Sequence, residues 1–354
     1  TWIAGADHAA YGGENYELNE DGVVSKYGKS RGDYLTDVIA QRAVSFLTEA
    51  LPAQPTFLFF APYAPHAPSL PAREDRGSFA DAKAPRGGAF NERRARKKPR
   101  WVRKSPQLTE ARISKIDENY RDRLETLQAA DRAIGALLDT IETSGASGNT
   151  YVFFLSDNGY FLGEHRQPHG KDAPYDAAAL VPLAILGPSI PVGATVSAIT
   201  GNTDIAPTIL DLAGVATTRE PDGRSLLPII RGESNAERRY LLLEGFGKEV
   251  EGHEAGETIT PPFSALRGTG VLYTEYATHE RELYDKRRDP DELNNRIAAV
   301  DKDLVRRYSE VLSGLTTCTG LACRQLEDAP LAPKERERRR RRKKGRRRRR
   351  IVNG

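Results

Sequence analysis

Two short apolar runs with one long amphipathic stretch between them leave this chain few architectures. Thr56-Phe-Leu-Phe-Phe60 and Tyr151-Val-Phe-Phe-Leu155 show no alternation, the pattern of strands buried on both faces. Between them Ile113, Ile116, Tyr120, Leu124, Leu127, Ile134, Leu138 and Ile141 keep helical spacing, with Arg, Asp and Glu on the other side. Strand, helix and strand of these lengths make a βαβ unit, so an α/β fold is expected, with a largely parallel sheet covered by helices. Pro182 to Leu186 reads as a third such strand. Asp33 to Leu51 predicts a further amphipathic helix, stopped by Pro52. Asp204 stands where it can N-cap a short helix, Ile205 to Ala213, that Gly214 ends.

The pattern changes after about residue 235. Tyr240–Glu244, Phe263–Arg267, Val271–Ala277 and Glu282–Tyr284 are short runs separated by turns. They predict a small antiparallel sheet, with a helix from about Asp301 to Leu315 behind it. The expected division is residues 1–232 for the α/β part, 233–328 for the sheet-plus-helix subdomain and 329–354 for a disordered polybasic tail. A long loop, residues 73–106, interrupts the first part. Within it Arg93 to Lys104 carries eight basic residues and no acid. Such a run is ordinarily a solvated loop, and binding of an acidic glycan is the sharper alternative.

Charge has to be read with the tail set aside. Fourteen of the 53 basic and two of the 49 acidic residues lie between Lys334 and Arg350, leaving 39 against 47 and a body at −8. The formal net charge of +4 is therefore no argument for specific nucleic-acid binding. No apolar run is long enough to span a bilayer, so no transmembrane segment is expected. The chain holds no methionine and opens on Thr1, so it is expected to be a piece of a longer protein.

In open parallel sheets, sites form beyond the carboxyl ends of the strands. One run leads into Ala64-Pro-His66-Ala-Pro68, the other into Ser156-Asp157-Asn158-Gly159, with Gly170-Lys171 soon after. Asp157 and Asn158 offer adjacent hard oxygens, which suit Ca²⁺ or, less well, Mg²⁺. His66 and Lys171 beside a divalent cation suit an ester of sulfate or phosphate, where charge develops on oxygen.

These segments, with Val181-Pro182-Leu183, Thr203-Asp204-Ile-Ala-Pro207 through Gly214, Asp222-Gly-Arg-Ser-Leu226 and Glu282-Leu-Tyr-Asp285, resemble the successive landmarks of the type I sulfatases. The nearest flavour is the N-acetylglucosamine-6-sulfatase-like and arylsulfatase-like branch. The resemblance implies an alkaline-phosphatase-like fold with a smaller C-terminal antiparallel subdomain. It implies hydrolysis of a sulfate ester on a glycan or aryl compound, with Asp157 and Asn158 as ligands of one calcium ion. His66 and Lys171 would be catalytic, binding the sulfate and assisting departure of the alcohol oxygen. The family's nucleophile is a formylglycine made in a Cys/Ser-x-Pro-x-Arg motif. That motif is expected upstream, outside this chain, so the chain alone is expected to be inactive.

His165 and Arg166 are candidate substrate-binding residues, standing either at a pocket rim or on a solvent-facing loop. Cys318 and Cys323 make either a small-loop disulfide or two free thiols. The disulfide is preferred and implies a secreted, periplasmic or otherwise exported protein. The rivals to the sulfatase reading are a phosphoester or phosphonate hydrolase of the same superfold and a non-catalytic binder of sulfated glycans.

Overall fold

The computed structural model describes residues 1–51, 53–233, 238–247 and 259–330. Pro52 and the tail beyond residue 330 lie outside them. The chain opens with an antiparallel meander, β1 (Ile3–Gly5), β2 (Glu17–Glu20) and β3 (Val23–Lys26). Asp21 and Gly22 join β2 to β3 at φ of 49° and 94°, the left-handed pair that a two-residue hairpin turn demands. Leu18 and Tyr16 of this unit pack on Leu35 and Val38 at the start of α1 (Leu35–Ala50).

After α1, Thr56–Phe60 forms no strand and has no hydrogen-bonded neighbour among the described strands. Leu58 and Phe60 pack with Ala43, Leu47 and Leu137, whereas Phe57 and Phe59 are 66% and 78% exposed. The expected strand buried on both faces is therefore covered on one face only. The 73–106 segment crosses next, containing α2 (Arg100–Lys104). Then comes α3 (Glu110–Thr143), whose N-cap Thr109 accepts from the Arg112 amide. Its 34 residues make it about 50 Å long, and it packs along α1.

β4 (Val152–Leu155) and, after the short α4 (Asp176–Ala179), β5 (Leu183–Leu186) pair antiparallel, Phe153 opposite Ile185. Among the described residues every ladder is antiparallel, so none of the parallel pairings expected of the α/β sheet is found among them. Apolar runs record a segment's hydrophobicity, not which of its faces is covered. They do not record which edge it pairs with, and Thr56–Phe60, the other half of the βαβ reading, is unpaired. Phe154 is half-exposed, so β4 is not buried on both faces either.

α5 (Ile205–Leu212) and α6 (Leu227–Ile230) follow. Asp204 sits at the N-terminus of α5, yet its side chain does not cap that helix. It is fully buried and accepts from the Gly201 and Arg224 amides and the Arg238 guanidinium. β6 (Leu241–Gly245), β7 (Phe263–Gly268), β8 (Val271–Tyr276) and β9 (Arg281–Asp285) then form one antiparallel meander in chain order. Strand alternation splits its residues between two cores. Leu266, Tyr273 and Leu283 face α7 (Lys302–Leu315) through Leu312 and Leu315. Phe263, Ala265, Leu272, Tyr276 and Tyr284 face Trp101, Val102, Phe161 and Tyr175. The Asp301 side chain caps α7 by accepting from the Asp303 amide. α8 (Leu321–Asp328) closes the described chain, and Cys318 is bonded to Cys323 with Cα atoms 5.2 Å apart.

Candidate active site

The Asp157–Asn158 corner is fixed from three sides. The Asp157 carboxylate accepts from the Asn158 amide at 2.9 Å, and Ser156 Oγ donates to the Asn158 carbonyl at 2.9 Å. Asn202 Nδ2 donates to the Ser156 and Asp157 carbonyls. Gly159 donates to the Ala178 carbonyl at 2.8 Å, and any Cβ at Gly159 would lie 2.1 Å from the Ala177 carbonyl oxygen. Only glycine permits that approach, so the corner packs with its backbone directly against α4. Partial burial works to raise the Asp157 carboxyl, but the bonds from Asn158 and the charge of Lys171 outweigh it and hold its pKa below the ordinary value. Asp157 is thus ionised and within electrostatic reach of Lys171.

His66 lies exposed between two prolines. Its Nδ1 is 2.8 Å from the Ala67 carbonyl, so Nδ1 carries a proton and donates it, and in the neutral ring Nε2 keeps its lone pair. Tyr11 packs on the ring at 4.7 Å between centroids. One residue connects this loop to the Asp157 corner. Arg123 of α3 donates from Nη1 to the Pro65 carbonyl at 2.9 Å and lies 4.0 Å over the Tyr160 ring. The two motif loops are therefore anchored on the same helix side chain.

His165 and Arg166 are elsewhere. His165 is 1% exposed, which rules out a rim or a solvent-facing loop. Its ring stacks on Tyr175 at 4.0 Å, its Nδ1 faces Lys98 Nζ at 3.2 Å and Glu92 at 3.5 Å, and its Nε2 faces Glu292 at 3.7 Å. Burial, then the Lys98 charge, lower its pKa to about 4. Lys98 therefore donates to a neutral ring whose proton sits on Nε2, toward Glu292. Burial and the nearby Asp176 raise Glu292 to about 7 despite Lys286 at 2.7 Å. Arg166 is spent on main chain: its three guanidinium nitrogens donate to the carbonyls of Glu92, Ser105 and Arg93. Both residues have left-handed φ, 53° and 64°, a costly pair for side-chain-bearing residues that these contacts over-determine.

The sequence reading missed this buried network. At its floor Glu282, raised in pKa by burial, accepts from the hydroxyls of Tyr175, Tyr276 and Tyr284. Asp176 binds both Arg267 and Lys286. One signal was available: Glu282 takes an inward position in β9, on the same face as Tyr284. The role of Lys98 had no signal, since it sits in a run of seven other cations.

The letters of the nucleophile motif also occur once within the chain. Ser69-Leu70-Pro71-Ala72-Arg73 has the letters Ser-x-Pro-x-Arg. Ser69 does not present a nucleophile, however: it is 1% exposed at φ 55°, and its hydroxyl donates to the Pro65 carbonyl at 3.0 Å.

Among the described residues no three His, Cys, Asp or Glu side chains gather as a metal cluster. Asp157 and Asn158 fit calcium in kind, as hard oxygens, and supply two of the 6–8 that the ion takes. Among the described residues no helix is long and apolar enough to cross a membrane.

The model of the family described as Sulfatase matches residues 4–215, and that of N-sulphoglucosamine sulphohydrolase, C-terminal, matches residues 163–315. The human N-acetylglucosamine-6-sulfatase is 32% identical over 359 residues, covering 91% of this chain. The chain spans 63% of that relative's length. A protein solved in complex with its substrate D-glucosamine-2-N,6-O-disulfate superposes with a TM-score of 0.73 at 25% identity, over 94% of this chain and 78% of its own. The phosphonate monoester hydrolase of Agrobacterium radiobacter shares the fold at 22% identity, TM-score 0.65, over 81% of this chain and 61% of its own. With an alkaline-phosphatase-like α/β architecture and a family model matched over more than half its length, the chain belongs to the sulfatase family.

Proposed function

We propose that the protein containing this chain is a sulfuric ester hydrolase acting on sulfated glucosamine units of a glycan. The observation that carries the reading is geometric: the Asp157–Asn158 corner, held by Ser156 and Asn202, is fastened through Arg123 to the His66 loop, with Lys171 within electrostatic reach of the Asp157 carboxylate. The likeness to a protein solved with a glucosamine disulfate supports the substrate class.

Each residue has a physical task. The Lys171 ammonium attracts the sulfate and offers hydrogen bonds to its oxygens. His66, held by its Nδ1–H bond to Ala67, turns Nε2 outward; in the imidazolium form Nε2–H can donate to the departing alcohol oxygen. Asp157 and Asn158 would be ligands to Ca²⁺, which when bound draws charge from the sulfate oxygens. Export from the cytosol accords with the Cys318–Cys323 bond.

The test is sulfate release from glucosamine-6-sulfate by the longest protein that contains this chain, beside phosphate release from an aryl phosphate. Sulfate release lost in His66→Ala and Lys171→Ala supports the reading. Preference for the phosphate ester would replace it with the phosphohydrolase alternative, against which Asn158 speaks because imidazole, not amide, suits zinc or manganese.

A further inference from the structure

The segment from Arg93 to Lys104 is not a solvated loop. Ala95, Lys98, Trp101 and Val102 point into the core that also holds Tyr175 and Tyr276. Arg93, Arg94, Arg96, Lys97, Arg100 and Lys104 point out and are exposed. The backbone between them is pinned. Arg166 holds the carbonyls of Glu92, Arg93 and Ser105, Asn295 Nδ2 donates to the Lys97 carbonyl, and Glu280 accepts from the Arg100 amide. Arg103 is balanced by Glu280 at 3.7 Å, and none of the other six exposed cations forms an ion pair among the described residues.

Six unpaired like charges on a rigid frame repel one another, and the folded body around them is net acidic. Such a display is costly unless a polyanion neutralises it. The frame is continuous with the proposed reactive edge, because Arg166 and Gln167, which hold it at Ser105, lie in the loop that runs from Asp157 to Lys171. We propose that this face binds a sulfated polysaccharide and holds it across the site at which its sulfate is removed. The choice of a glycan rests on the sulfatase reading, and also on what the face lacks. A single-stranded nucleic acid gains much of its affinity from stacking on aromatic rings, and the one aromatic of the segment, Trp101, is 4% exposed.

Lysine acetylation of the full chain, read peptide by peptide by mass spectrometry, tests the proposal without interference from the polybasic tail. A heparin hexasaccharide should protect Lys97 and Lys104 about tenfold, with exposed Lys26 and Lys115 as unprotected controls. The desulfated hexasaccharide should protect neither. Raising the salt, or changing Arg93, Arg94, Arg96 and Arg100 together to Gln, should abolish protection of Lys97 and Lys104. Protection confined to the tail would overturn the proposal, and equal protection by a single-stranded RNA of matched charge would overturn the choice of glycan. Turnover of monosaccharide sulfate by the longer protein reports on the site alone. If that turnover is absent while protection persists, the sulfatase reading fails and the binding face stands.

Discussion

Arg123 Nη1 donates to the Pro65 carbonyl at 2.9 Å. This bond ties the His66 loop to α3, and the same guanidinium covers Tyr160 beyond the Asp157 corner.

Replacing Arg123 by Met should remove both contacts while keeping most of the side-chain volume. The expected loss is about 1–3 kcal/mol in urea unfolding, from one charge-assisted bond and one partly buried cation–π contact. Lys at this position should restore part of it. An unchanged midpoint in Arg123→Met would mean that the two loops hold their places without this residue.

His165 and Glu292 should drive stability in opposite directions over the same pH range. His165 falls to about 4 in the fold from 6.5, so its contribution is complete above 6.5 and is lost as pH falls toward 4. Glu292 rises to about 7 from 4.5, so its contribution is complete below 4.5 and is lost as pH rises toward 7. The intact pair should give a shallow profile between pH 4.5 and 6.5. Glu292→Gln should gain stability as pH rises, and His165→Gln should lose it, each by about 1–3 kcal/mol across the window. Urea titrations at several pH values read the slopes; parallel slopes in all three proteins would refute the assignment.

Glu282 gathers three buried hydroxyls. Glu282→Leu would strand those of Tyr175, Tyr276 and Tyr284 and should cost about 3–5 kcal/mol. Glu282→Gln keeps an acceptor and should cost less. Thermal melts of the two variants separate loss of hydrogen bonding from loss of shape.

Calcium should add little to this chain by itself. Two oxygen ligands give weak affinity, and a ligand stabilises a fold only when present well above its dissociation constant. A melting temperature unmoved by millimolar calcium is the expected result, and tight stoichiometric binding in calorimetry would contradict it. In the longest protein, Asp157→Ala should abolish sulfate release, and Asp157→Asn should weaken it.

Ser69 should remain serine. Its peptide should show the unmodified mass, and Ser69→Ala should leave sulfate release by the longest protein intact. Finding that peptide two hydrogens lighter would show instead that the Ser69–Arg73 string is read as a modification signal.

Much of this fold was legible locally. The spacing from Ile113 to Ile141 marked α3, the runs from Tyr240 to Tyr284 marked the four-stranded meander, and Asp301 marked the cap of α7, because each is set by contacts a few residues apart. The Asp21-Gly22 hairpin was equally local, and its signal went unread. The corner at Asp157 and Asn158 was legible for the same reason, since a strand end followed by Asp-Asn-Gly forms its own turn.

What the tertiary structure alone decided is partnership. Whether β4 pairs parallel or antiparallel depends on which strand the fold lays beside it, and that strand, β5, comes 27 residues after its end. Lys98 and Lys97 are the same residue type side by side, yet Lys98 is 1% exposed while Lys97 faces solvent. The difference arises because His165 and Tyr175 from one distant stretch, and Tyr284 and Glu292 from another, join nearby Glu92 to receive one ammonium and not the other. A buried charge is tolerable only where such partners meet, and their meeting is a property of the assembled fold rather than of any stretch of sequence.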